Sequence, residues 1–181
     1  MNQDQVTLVN EKDEVIGTMD KIEAHRGEGK LHRAISVFLF RKNANGELEL
    51  LIQRRSDKKI VGAGQWANTV CGNVWPDESY EECARRRLSF ELGIDDENLK
   101  LEDATTFRYQ ARCNDEFSEN EIVHIFVGWF DGNFQPNVDE VAGTEWILWK
   151  TIKSDDTRWT PWFKLFIAEG LVKTTLEKYV S

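Results

Sequence analysis

The stretch "NTVCGNVWPDESYEECARRRLSFELGI", Asn68 to Ile94, constrains the fold more than any other part of the chain. A short β-prone run ends at Cys71-Gly72 and gives way to the clearest helix in the sequence. Trp75-Pro76-Asp77 is expected to start it, Ser79 and Glu82 have capping-box spacing, and Gly93 suits the position just past its last turn. Around this unit the chain reads mainly as strands. "QVTLVN" and "EVIGTM" flank a turn at Glu11 to Asp13, and "DKIEAHRGEGKLHRA" reads as a loop or short turn. "AISVFLFRK" and "LELLIQRRS" are strands joined by "NANGE", where Asn45-Gly46 favours a hairpin turn with positive φ. After "VGAGQW", strands are expected at "ANTVCG", "FRYQARC", "EIVHIFVGWF" and "EWILW", with a turn at "DGNFQPN" and an amphipathic helical region at "WFKLFIAEGLVKTTLEKYV". Strands in runs with two helices packed on them indicate an α+β sandwich, and 181 residues are the size of one domain, residues 1–181.

Composition narrows the function. A net charge of -9 argues against broad binding to nucleic acid or to an anionic membrane, both of which need surplus Lys and Arg. An anionic ligand would need locally gathered cations. No apolar run reaches the ~18 residues of a bilayer span, and "MNQDQVTLVNEKDEV" lacks the basic and apolar regions of a signal peptide, so a cytoplasmic location is expected. Cys71, Cys83 and Cys113 are odd in number and form no CxxC pair, which disfavours a disulfide framework or structural zinc. No heptad or long exposed apolar stripe points to self-association, so a monomer is expected.

Gly72, five residues, Glu78, seven residues, Arg86, then Leu88, Glu91, Gly93 and Ile94 resembles the Nudix motif, which holds Mg²⁺ against a diphosphate. Hydrolytic members use an acidic cluster on one helix face, because hard cations need several carboxylate oxygens. Here Arg87 and Phe90 stand where two of those glutamates belong, and Glu91 survives. The motif reads as kept for gripping a diphosphate and not for cleaving it. With "LHRAISVFLF", "RRSDKK", "WANTVCG", "FRYQA", "ENEIVHIF" and "TPWF" in the same order, the chain resembles the type 1 isopentenyl-diphosphate isomerases, which have a Nudix α/β/α sandwich with a mixed sheet.

That resemblance implies an isomerase interconverting isopentenyl and dimethylallyl diphosphate. Moving an unactivated double bond requires protonating one carbon, tolerating a tertiary carbocation and deprotonating a neighbour in a dry pocket. The resemblance assigns the proton transfers to Cys71 and Glu121, with Tyr109 hydrogen-bonded to the glutamate and the face of Trp162 against the hydrocarbon. Cys83 and Cys113 match no motif and read as structural, and Trp66 is a candidate to line the same pocket. His25, His32, Glu119 and Glu121 match ligands of a second divalent metal, Mn²⁺, Zn²⁺ or Mg²⁺. Glu119 and Glu121, two apart in a strand, point to one face, while His124 leaves from the other. The family's third imidazole is replaced by Asn73, a weaker ligand for zinc, so weaker metal binding is expected. Lys21, Arg55, Lys59 and Arg87 match phosphate contacts, with Glu91 and the main-chain carbonyl of Cys71 on Mg²⁺. A Nudix diphosphate hydrolase, or a prenyl-diphosphate-binding paralogue with altered activity, is the alternative.

Overall fold

The computed structural model describes residues 4–180. Its organising strand is β3, His32–Lys42, which pairs antiparallel with β1 (Gln5–Val9), β4 (Leu48–Arg55) and β6 (Val70–Asn73), and parallel with β8 (Ser118–Trp129). The run "AISVFLF" is apolar at nearly every position because both faces of this strand are covered. Ile35, Val37 and Leu39 join one core with Cys83, Ala84, Leu88 and Leu92 of α2 (Tyr80–Leu92). Ala34, Phe38 and Phe40 join the other, with Phe163 and Phe166 of α3 (Pro161–Ala168). Helices therefore lie on both faces of a mixed sheet. The remaining strands are β2 (Val15–Asp20) against β1, β5 (Trp66–Ala67) and β9 (Val141–Leu148) against β4, and β7 (Leu101–Arg112) against β8. Among the described residues, no helix is long and apolar enough to cross a membrane.

Four local expectations are corrected. The segment read as a loop after Asp20 contains a short helix, α1 (Lys21–His25), because the Asp20 carboxylate accepts from the backbone N–H groups of Ile22 and Glu23. Helix α2 begins after Ser79 and not at Trp75-Pro76-Asp77, since Asp77 has a left-handed φ of 64° that no helix accommodates. The capping box of Ser79 and Glu82 closes its start as expected. The single C-terminal helical region is two helices, α3 and α4 (Lys173–Val180), separated at Gly170 with φ 65°. In the β3–β4 hairpin, positive φ falls on Gly46 alone.

Strand register assembles the centre. His32 of β3 lies opposite Glu121 of β8, and Glu121 opposite Tyr109 of β7. Ser36, on the same face of β3 as His32, lies opposite Cys71 of β6, and Ala34 opposite Asn73. At the other end of α2, Gly93 ends the helix with φ 64°, and a Cβ there would meet the Gln135 carbonyl oxygen at 2.9 Å. Gly93→Ala is therefore expected to lower the unfolding free energy by about 1–3 kcal/mol in a urea titration. An unchanged midpoint would show that the cap is unstrained.

Candidate active site

One cavity of about 590 Å³ collects most of the residues singled out above. Its wall includes Cys71, Tyr109, Glu121 and Trp162, the cations Lys21, Arg55, Lys59 and Arg87, and His25, Glu119 and Asn73. Cys71 and Glu121 thus share a cavity. His32 and Glu91 are fully buried behind it. Trp66 stays in the core and is not part of this wall, which corrects its candidacy, and neither Cys83 nor Cys113 lines the cavity.

At one end the four side chains His25, His32, Glu119 and Glu121 offer ligand atoms that all lie within 4.8 Å of one another. Each imidazole is fixed by its back. His25 Nδ1 donates to the Lys21 carbonyl at 2.6 Å and His32 Nδ1 to the Lys30 carbonyl at 2.7 Å, which leaves both Nε2 atoms facing carboxylates. His25 Nε2 lies 3.1 Å from Glu119 and His32 Nε2 3.5 Å from Glu121. Burial holds the His32 imidazole below its ordinary pKa, so it is neutral and its Nε2 lone pair is available. Burial pushes both carboxyls up, but His25, by its charge and its hydrogen bond, brings Glu119 down to about 2. Glu121 is left well above its ordinary range by burial and by the Glu119 charge. Two anchored imidazoles and two carboxylates form a donor set that fits a divalent cation.

Asn73 stands at the edge of this group. Its amide nitrogen donates to His32 Nε2 at 3.0 Å and to Glu121 at 3.3 Å, so it spans the two ligands it was expected to join. His124 has no part in the cluster: it stacks on Tyr80 and bonds Asp103 at 2.7 Å. Tyr109, kept protonated by burial, donates to the second oxygen of Glu121 at 2.5 Å.

Cys71 is held by residues that sequence reasoning did not single out. Its Sγ donates to Asn68 Oδ1 at 3.2 Å and lies 3.4 Å from Ser36 Oγ. Asn68 itself is locked by donating to Ser36 Oγ and to the carbonyls of Val37 and Val70. Burial pushes the Cys71 thiol up to about 11, so it carries its proton at neutral pH. The signal for Asn68 lay in the same five-residue run, "NTVCG". Trp162 is 2% exposed, and its Nε1 has no hydrogen-bond partner among the described residues. The Arg55 guanidinium lies 5.1 Å from its ring centroid, and Gly62 packs so tightly that a Cβ would lie 2.8 Å from Cη2.

The cationic end is crowded. Lys21 is held below its ordinary pKa first by burial and then by Arg87, Lys59 and Arg55. Arg87 is ion-paired with Glu91 of its own helix and lies 3.2 Å from Glu140, which sequence reasoning missed. Gly72 makes room for it, since a Cβ there would meet Arg87 Cγ at 2.7 Å. Glu91, bonded also by Gln53 at 2.6 Å, sits behind Arg87. Phe90 is exposed at the mouth beside Arg87.

Comparison with known proteins gives the family. The NUDIX domain model matches residues 30–168. The isopentenyl-diphosphate Delta-isomerase of Saccharopolyspora erythraea is 36% identical over 170 residues, 92% of this chain and 85% of that protein. The isopentenyl-diphosphate Delta-isomerase 1 of Aromatoleum aromaticum is 40% identical over 84% of this chain and 82% of its own length, and the Serratia proteamaculans isomerase 34% identical over 97% and 96%. A crystal structure from Deinococcus radiodurans aligns with TM-score 0.63 and 27% identity, covering 80% of this chain and 83% of its own. A MutT protein from Methanosarcina mazei Go1, at TM-score 0.61 and 22% identity over 80% and 95%, shares the fold. The chain belongs to the NUDIX domain family, in the branch that holds the isopentenyl-diphosphate Delta-isomerases.

Proposed function

We propose that this protein interconverts isopentenyl and dimethylallyl diphosphate, with Cys71 and Glu121 as the two proton-transfer groups. The observation that carries this is the shared cavity: a protonated thiol and a carboxyl lie in one wall, with clustered cations at the other end. A diphosphate bound by Lys21, Arg55, Lys59 and Arg87 leaves its five-carbon tail among Cys71, Tyr109, Glu121 and Trp162. One group protonates the terminal alkene carbon, and the tertiary cation forms at the branched carbon. The other removes a proton from the carbon nearer the diphosphate. Tyr109 holds the Glu121 carboxyl in place through its donated hydrogen bond.

Trp162 suits the intermediate because a desolvated ring face stabilises a cation by about 1–2 kcal/mol and offers no lone pair for capture. A divalent cation held by His25, His32, Glu119 and Glu121 supplies positive charge that favours the ionised carboxylates. Which of Mn²⁺, Zn²⁺ or Mg²⁺ fills it depends on Asn73, whose amide offers a harder donor than imidazole. A second ion, Mg²⁺, would accompany the diphosphate, with the Cys71 carbonyl and Glu91 as its protein contacts.

Hydrolysis of the diphosphate fits poorly. Arg87 and Phe90 occupy two of the motif's carboxylate positions, and Glu91 alone is too few carboxylates for metal-activated hydrolysis. A binding-only paralogue would keep the cationic end and lose the chemistry.

Purified protein with isopentenyl diphosphate, Mg²⁺ and Mn²⁺ is expected to form dimethylallyl diphosphate without releasing phosphate. Cys71→Ala and Glu121→Gln should each lower kcat by at least about 10²-fold. Phosphate release, or tight binding with no double-bond migration, would refute the reading. In metal-free protein, alkylation of Cys71 followed by peptide mapping should accelerate only as pH climbs toward about 11. A plateau by pH 9 would show an unshifted thiol. Asn73→His is expected to raise Zn²⁺ affinity by about tenfold or more in competition with a chromogenic chelator. Unchanged affinity would mean that position 73 does not reach the metal.

A further inference from the structure

Glu140, in the cavity wall, is a carboxylate that neither the proton chemistry nor the metal cluster uses. Glu140 lies in the turn before β9, and its Oε2 accepts hydrogen bonds from both Lys59 Nζ and Arg87 Nη2. Lys59 and Arg87 approach from different parts of the fold, the turn after β4 and the body of α2. A carboxylate in an anion-binding cavity opposes the ligand by Coulomb's law unless it does something that outweighs repulsion.

The backbone around Glu140 is built to hold it still. The Asn137 N–H donates to the Glu91 carbonyl at 2.9 Å, and Ser56 N–H donates to the Glu140 carbonyl at 3.0 Å. Glu140 and Val141 both donate back to the Asn137 carbonyl, at 3.0 and 2.9 Å. The turn is thus fastened to the last part of α2 and to the residues leading to Lys59. Its side chain then fixes the two cations nearest each fastening. Arg87 Nη2 is shared by Glu91 and Glu140, while Arg87 Nε is buried without a hydrogen-bond partner among the described residues. Two carboxylates on one guanidinium nitrogen hold Arg87 in a single orientation at the cavity wall.

We infer that Glu140 is a positioning residue for the diphosphate, holding the Lys59 ammonium and the Arg87 guanidinium in the arrangement that receives it. This rests on the reading of the cavity as a prenyl-diphosphate site. Ordering two long side chains before the ligand arrives removes an entropy cost that binding would otherwise carry. The sign of the effect separates this role from simple repulsion: an opposing charge strengthens anion binding when removed, whereas an anchor weakens it.

Calorimetry with inorganic pyrophosphate and Mg²⁺, on the parent, Glu140→Ala and Glu140→Asp, decides between them. Glu140→Ala is expected to weaken pyrophosphate binding and raise KM for isopentenyl diphosphate by about tenfold each, with kcat falling by less than about threefold. Glu140→Asp should recover most of the affinity. Pyrophosphate binding as tight as in the parent, or tighter, overturns the proposal, as does a fall in kcat with KM unchanged. If Glu140→Ala fails to fold, Glu140→Gln carries the same comparison. A parent that binds pyrophosphate but isomerises nothing refutes the function and leaves the Glu140 comparison decisive. A parent that binds no pyrophosphate overturns both.

Discussion

Two carboxylates forced together on one buried strand face set the terms for the rest of the cavity. Glu119 and Glu121 alternate inward along β8, and ligand atoms this close repel by on the order of 3 kcal/mol when both are ionised. The protein answers with His25 and His32, each anchored through Nδ1 so that Nε2 faces an acid. The charge is settled unevenly. Glu119 stays ionised beside His25, while burial and the Glu119 charge drive Glu121 towards its protonated form against the hydrogen bond that Tyr109 donates. A carboxyl whose protonation hangs on its neighbours, and on an added cation, is suited to passing a proton to or from carbon.

The opposite problem is solved at the other end. Lys21, Arg55, Lys59 and Arg87 crowd together in a protein of net charge -9, and burial with mutual repulsion weakens the hold of Lys21 and Lys59 on their protons. Such a group of cations suits a multivalent anion. The two ends meet at Arg55, which faces the cavity and lies over Trp162. On the proposed reading, a diphosphate that draws the Arg55 guanidinium away would free the Trp162 ring face for the carbocation, so that substrate binding and stabilisation of the intermediate are linked.

Legibility in the sequence followed distance along the chain. The capping box of Ser79 and Glu82 and the Gly93 cap are local and were readable, as were the long apolar strands. Helix α1 was not, because five residues give too little periodicity and only the Asp20 cap marks it. The start of α2 was misplaced because Pro76 looks like a first-turn proline, and nothing local reveals the left-handed φ of Asp77. The candidate metal ligands come from α1, β3 and β8, so their meeting depends on register and was visible only through family resemblance. Glu140 was out of reach altogether, since its partners are 53 and 81 residues away.

The central claim is that a proton crosses between solvent-exchangeable groups on Cys71 and Glu121 and the carbons of a bound prenyl diphosphate. Isopentenyl diphosphate incubated in heavy water with the metal-loaded protein measures this directly. The account predicts deuterium in the recovered prenyl chain, an intact diphosphate, and loss of the label with Glu121→Gln. Product formed without deuterium, or labelling by Glu121→Gln at the parent rate, would contradict it.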